Sequence, residues 1–245
     1  MTWKDALTDY QYFLKIERGL SENSIKAYSQ DIQKLIHFLA DQDLKESPVG
    51  ISAEIIERFI YDSAKTVAPR SQARMISGLR NFFDYLIFED YRKDNPMELI
   101  ESPKIGRKLP DTLSEEEIDS IIAAIDLSKP QGERNRAMLE TLYGCGLRVS
   151  ELITLKISDL FFDEGFIRVT GKGDKQRFVP IAGYTQKYIE LYKEEIRTHI
   201  PIKAGSEDTL FLNRRGKGLT RAMLFTIIKT LTEKAGIKKK ISPHT

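Results

Sequence analysis

Apolar residues recur at helical spacing along the first hundred positions. Leu7, Tyr10 and Leu14 form one stripe, and Ile25, Tyr28, Ile32, Leu35 and Leu39 form a second. Ser21 or Asn23 can cap that second helix. Ile55, Ile56, Phe59 and Ile60 mark a third helix. A fourth starts near Pro69 and turns Ile76, Leu79, Phe83 and Leu86 inward. The pattern predicts a small four-helix domain over residues 1–100. Between Ile100 and Leu113 no period persists, and Pro103, Gly106 and Pro110 punctuate the stretch, so 101–110 is expected to be a linker. A second domain, 111–245, opens with Ser114 and Glu117 as a capping box ahead of Ile118, Ile121, Ile122 and Ile125. Further helices are predicted at 134–143, 149–156, 183–198 and 220–235. Between them, "GFIRVTGKGDKQRFVPI" holds two β-rich runs, Phe166–Thr170 and Gln176–Ile181, around a Gly-Lys-Gly-Asp tip, which predicts a hairpin with a long turn. The expected fold is mainly α with a small β-hairpin or sheet, in two domains.

Composition adds little to this picture, but the distribution of charge adds more. The whole chain of 245 residues carries +2. Residues 1–106 hold 14 Lys/Arg against 17 Asp/Glu, whereas 107–245 hold 24 against 19. From Arg197 to Lys240 there are 11 basic and 3 acidic residues. In the acidic first half, Lys65, Arg70, Arg74 and Arg80 lie in a window, 63–83, without a carboxylate. Basic stripes of this kind are the electrostatic footprint of a nucleic-acid binder, although solvated surface charge produces single stripes as well. Cys145 is the only cysteine, so no internal disulfide can form. No apolar run approaches the ~18 residues of a membrane span, and the start lacks the apolar core of a signal peptide. A cytoplasmic protein with no membrane association is expected.

The chemistry centres on "YGCGLRVSELITLKISDL". Arg148 stands between Leu147 and Val149, and a guanidinium among aliphatic residues is costly to desolvate unless an anion meets it. Its planar fork suits a phosphate, and Glu151, three residues on, can hold that fork in one rotamer. A structural i, i+3 pair is the plainer reading. Lys172, between Gly171 and Gly173 at the hairpin tip, can reach into a groove or simply be solvated there. His244 could donate to another phosphate oxygen. Two cations, a histidine and an orienting carboxylate suggest phosphoryl transfer by fixed charges. The glycine spacing around Lys172 is wrong for a nucleotide loop. Asp159, Asp163 and Glu164 read as solvated residues flanking the hairpin. One cysteine and three scattered histidines give no zinc site, and neither metal nor cofactor is expected.

"LYGCGLRVSEL", "GKGDKQRFVPI" and the terminal "SPHT" resemble successive signature blocks of the tyrosine recombinases of the phage-integrase family. "FLKIERGLSENSIKAYSQDIQKLIHFL" and "LPDTLSEEEID" extend the likeness to the Xer subfamily over the whole chain. The resemblance implies a two-domain clamp, in which a helical core-binding domain joins an α-rich catalytic domain. It makes Arg148 the first catalytic arginine, Glu151 its supporting acid, Lys172 the hairpin lysine and His244 the start of a His-x-x-Arg motif. It implies metal-free cleavage and rejoining of DNA through a 3′-phosphotyrosine. Candidate DNA contacts are Asn23, Ser24, Arg70, Arg74 and Arg80, then Lys104, Arg107 and Lys108 in the linker, and Arg214, Arg215 and Arg221 beyond the hairpin. Expected partners are double-stranded DNA with paired half-sites, a second protomer or sister recombinase and, for chromosome-dimer resolution, an FtsK-type DNA translocase. The family pattern continues past Thr245 to a second arginine and the nucleophilic tyrosine. Tyr184, Tyr188 and Tyr192 precede the motif, so the chain is expected to be a shortened form that binds DNA without forming a covalent adduct. The rival readings are a catalytically silent DNA-binding module and a type IB topoisomerase-like enzyme.

Overall fold

A computed structural model describes residues 1–106, 111–239 and 241–242, with the backbone alone described at Lys172. The chain divides into two units, Met1–Lys108 and Leu109–Thr245, each with its own apolar core. Among the described residues, no helix is long and apolar enough to cross a membrane.

In the first unit the four stripes are helices. α1 spans Trp3–Tyr12 and runs on through a π turn at Phe13–Glu17; α2 is Glu22–Asp41, α3 Ala53–Ala64 and α4 Pro69–Phe88. Thr2 and Asp5 box the start of α1, and Ser21, rather than Asn23, caps α2 by accepting from the Ser24 N–H. Pro69 opens α4, where its missing N–H is no loss. Tyr10, Ile32, Leu35, Ile76, Leu79, Phe82 and Phe83 are fully buried between the helices. α2 and α4 approach so closely that a Cβ on Gly78 would stand 2.5 Å from Asp31 Oδ2. Asp31 is itself completely buried, and Arg74 grips both its oxygens, at 2.8 and 2.5 Å.

The second unit begins with α5 (Glu115–Ala123), entered through the Ser114–Glu117 capping box. α6 (Gly132–Gly144), α7 (Val149–Ile153), α8 (Gly183–Leu191) and α9 (Arg221–Lys234) surround a small antiparallel sheet. α8 continues through a π turn, Tyr192–Ile196, and a 3-10 turn, Arg197–His199. The sheet has three strands in the order β1 (Leu160–Phe161), β2 (Phe166–Thr170) and β3 (Gln176–Pro180). β1 has no counterpart among the predicted elements, because two residues are too few to show alternation. β2 and β3 pair Ile167 with Val179 and Val169 with Arg177, so these four share the inward face. Ile167, Val169, Leu152, Met138, Ile189, Tyr192 and Phe211 are buried in this core.

Two expectations are corrected here by contacts distant in sequence. α7 stops at Ile153 instead of 156, because the Ile157 N–H donates to Asp208 O (2.8 Å) and Leu155 O accepts from Leu210 (2.9 Å). Those long-range backbone bonds draw the chain out of the helix. Asp159 is buried, not solvated: it accepts from Arg168 Nε at 2.8 Å and from the Lys156 N–H.

Candidate active site

The "GCGLR" turn positions the site. At the end of α6 the Leu147 N–H closes back on Leu142 O at 3.0 Å, with Gly146 in the left-handed region (φ 57°) that an L side chain rarely adopts. The chain then runs extended through Arg148 (φ −73°, ψ 152°) before α7 begins. Extended backbone sends successive side chains to opposite sides. Leu147 and Val149 are therefore buried, while the Arg148 side chain is 66% exposed. This corrects the expectation that Arg148 itself is buried. The buried member of the pair is Glu151, whose side chain is 1% exposed.

Glu151 is held on both oxygens. Its Oε2 accepts from the Arg148 backbone N–H at 2.7 Å and its Oε1 from Arg148 Nη1 at 3.0 Å. Arg177, on β3, adds a fork: Nη1 to Oε1 at 2.6 Å and Nη2 to Oε2 at 3.0 Å. The Arg177 guanidinium, aided by the Arg148 donors, holds the Glu151 carboxyl down to about 2 against the opposing effect of burial. Arg177 is raised in turn by the same bond. Gly171 abuts this pair: a Cβ there would lie 3.4 Å from Glu151 Oε1 and 3.7 Å from Arg177 Nη1. The backbone leading into the tip, Lys172–Asp174, thus rests against the arginine–glutamate cluster.

Of the predicted catalytic residues, the structure brings together Arg148, Glu151 and the backbone preceding Lys172. The Lys172 side chain and His244 lie outside what is described. Arg177 was missed by sequence reasoning, although the strand alternation Arg177, Val179, Ile181 places it on the inward face.

The predicted DNA contacts divide by exposure. Arg70, Asn23, Lys104, Arg214, Arg215 and Arg221 are exposed. Arg74 is exposed over half its side chain, yet bound to Asp31. Ser24 contacts Ser21 within the α2 cap. Arg80 is half-buried, and its Nη2 donates to Ile100 O at 2.7 Å, tying α4 to the chain that follows it. Lys65 is paired with Asp62, just outside the carboxylate-free window. Arg107 and Lys108 lie outside the described residues. The tyrosines of α8 have other duties. Tyr192 is fully buried and accepts from the Leu212 N–H, while the Tyr184 and Tyr188 hydroxyls bond to each other beside Arg136.

The sequence model of the phage integrase family matches residues 111–245, and that of the phage integrase N-terminal SAM-like domain matches residues 7–90. The chain belongs to the phage integrase family, the tyrosine recombinases. Among curated relatives, this recombinase is 42% identical to tyrosine recombinase XerD of Oceanobacillus iheyensis, over 98% of its own length and 81% of the relative's. It is 38% identical to XerD of Staphylococcus aureus, with the same coverage. Solved structures of the same fold include XerH recombinase bound to palindromic difH substrate in a post-cleavage complex (22% identity, TM-score 0.74, covering 97% of this chain and 70% of that one). Lambda integrase (residues 75–356) bound to DNA is another (18% identity, TM-score 0.72, covering 100% and 83%). The chain is a tyrosine-family site-specific recombinase, of a family that cleaves and rejoins DNA.

Proposed function

We propose that Arg148 binds the DNA phosphate at which this recombinase acts, with Glu151 orienting its guanidinium and Lys172 and His244 completing the site. The observation that carries this reading is the state of Arg148. Its guanidinium is largely exposed, yet fixed by hydrogen bonds to a buried carboxylate beside the Lys172 tip. A preoriented cation facing outward costs little to reorganise when an anion arrives. In the family's reaction a tyrosine oxygen attacks phosphorus, the new P–O bond replaces the P–O5′ bond, and the charge gathers on the non-bridging oxygens. Arg148 and His244 then stabilise those oxygens, and Lys172 gives a proton to the departing 5′-oxygen. The phosphotyrosyl link conserves the bond energy for rejoining, so the reaction needs no external energy source.

The substrate is a duplex with paired half-sites, each bound by one protomer, with a second copy or a sister recombinase on the other. The likeness to XerD supports chromosome-dimer resolution in the cytoplasm, with an FtsK-type DNA translocase as the regulating partner. The first unit meets the duplex through Arg70, the exposed part of Arg74, Asn23 and Lys104, and the second through Arg214, Arg215 and Arg221. We treat 101–110 as the linker between the two DNA-binding domains.

The test begins with a half-site obtained by binding-site selection with this chain. Roughly six phosphate contacts give a log–log salt slope of about −5. Replacing single phosphates by neutral methylphosphonates along the half-site should reveal one position where the wild-type chain loses about tenfold in affinity. The variant Arg148→Ala should be indifferent to that replacement. Equal methylphosphonate sensitivity of both proteins at every position overturns the assignment of Arg148.

A further inference from the structure

We propose that Arg177 is a positioning residue that keeps the Arg148 guanidinium facing DNA, in a site of net positive charge, by satisfying the buried Glu151 carboxylate itself. The inference rests on the reading of Arg148 as the phosphate-binding arginine and assigns the residue that makes this possible.

The division of hydrogen bonds is the first support. Arg177 takes both Glu151 oxygens with its two terminal nitrogens, the geometry in which a guanidinium and a carboxylate neutralise one another most fully. Arg148 contributes one terminal nitrogen and its backbone N–H. Its Nε and Nη2 make no hydrogen bond among the described residues, so they are available to an incoming oxyanion. Charge is the second support. Two guanidinia against one carboxylate leave a net positive cluster. Without Arg177 the same carboxylate, 1% exposed, would have a single arginine to compensate it. The stable arrangement of one buried carboxylate and one flexible guanidinium is fork to fork, which would turn Arg148 inward and leave the site neutral. Arg177 is the less suited of the two to meet the phosphate, because both its terminal nitrogens bond Glu151 and its side chain is 42% exposed against 66% for Arg148.

Topology is the third support. Arg177 belongs to β3 and faces inward opposite Val169, on the hairpin whose other strand leads through Gly171 to Lys172. The fork on Glu151 therefore fastens the hairpin to α7. One side chain thus sets the net charge beside Arg148 and anchors the backbone that carries the lysine.

The experiment compares affinity for the selected half-site with a phosphate and with a methylphosphonate at the Arg148-dependent position. The wild-type ratio of about tenfold should fall to about twofold in Arg177→Gln, which lacks the charge. Arg177→Lys, which keeps the charge without the fork, should retain an intermediate ratio. The double variant Arg177→Gln, Glu151→Gln should rise above Arg177→Gln alone, since an uncharged amide no longer draws Arg148 inward, yet stay below wild type because Arg148 loses its anionic anchor. With no buried charge, that double variant also remains informative if Arg177→Gln alone folds poorly. A wild-type ratio retained in Arg177→Gln overturns the proposal. So does a ratio that stays lost in the folded double variant, because the role of Arg177 would then be structural alone. Absence of any Arg148-dependent phosphate in the wild-type chain would instead overturn the underlying reading of Arg148.

Discussion

Asp31 in the first unit and Glu151 in the second are both buried carboxylates, each gripped on both oxygens by one arginine. Their charge states are driven in opposite directions. At Asp31, burial prevails over Arg74 and the more distant Lys34, and the carboxyl is raised above its ordinary range. At Glu151, Arg177 is joined by the side chain and backbone N–H of Arg148, and the carboxyl falls to about 2. The difference lies in the number of donors together with the weight of burial, which is the leading influence at Asp31 and is outweighed at Glu151. One fork only partly offsets the lost hydration of a carboxylate, whereas two guanidinia and an amide more than replace it. Asp31 is thus a packing feature that ties α2 to α4. Glu151 is a permanent anion that holds two cations in register.

The largest expected effect follows from acid. Because the folded pKa of Glu151 lies below the unfolded one, its stabilisation is complete above pH 4.5 and is lost as pH falls through about 2. A carboxyl moved that far holds about 3 kcal/mol at neutral pH. Denaturant titrations across this window should show the loss in the wild-type chain and a flatter profile in Glu151→Gln. Asp31→Asn should leave the acid slope in place, since a raised pKa makes protonation of Asp31 favourable to the folded state. An acid limb flattened by Asp31→Asn rather than Glu151→Gln would reverse the comparison.

A smaller effect is expected at the helix contact that accommodates Asp31. Gly78→Ala sets a methyl 2.5 Å from a buried carboxylate oxygen and should cost about 2 kcal/mol, measured as a lower denaturation midpoint of the first unit. Gly183→Ala, in open space at the start of α8, should change stability by less than about 0.5 kcal/mol. If both substitutions cost the same, the tight approach of α2 and α4 around Asp31 is not what defines that site.

The smallest effect is expected at Asp31 itself at neutral pH. Asp31→Asn removes a charge that burial disfavours and should shift stability by less than about 1 kcal/mol, while Glu151→Gln should forfeit most of its larger contribution. Comparable losses in chemical denaturation would show that one fork suffices to stabilise a buried carboxylate here.

What could be read in advance followed the range of the interactions involved. The helices of the first unit were legible because their core faces repeat within a few residues, and Ser114 with Glu117 announced α5. The pairing of Arg148 with Glu151 was legible for the same reason, being three residues apart. The end of α7 and the burial of Asp159 were not, because they depend on segments 155–157 and 208–210 or on Arg168 reaching across from β2, and β1 is too short to show alternation. The bond from Arg80 to the carbonyl of Ile100, twenty residues on, was illegible for a similar reason. The burial of Arg148 was misread, and Arg177 was not singled out. Arg148 looked buried from its neighbours in sequence, but the extended backbone turns it outward. Arg177 sat in plain alternation with Val179 and Ile181, and that local signal was enough to place an arginine on the core side of the hairpin.

The most direct test of the account is a crystal structure of this chain bound to its selected half-site. One phosphate should lie with an oxygen about 2.8 Å from the Arg148 guanidinium, with Lys172 and His244 converging on the same group and Arg177 still forked onto Glu151. A phosphate bound by Arg177 in place of Arg148, or Arg148 turned inward onto Glu151 with DNA present, would contradict it.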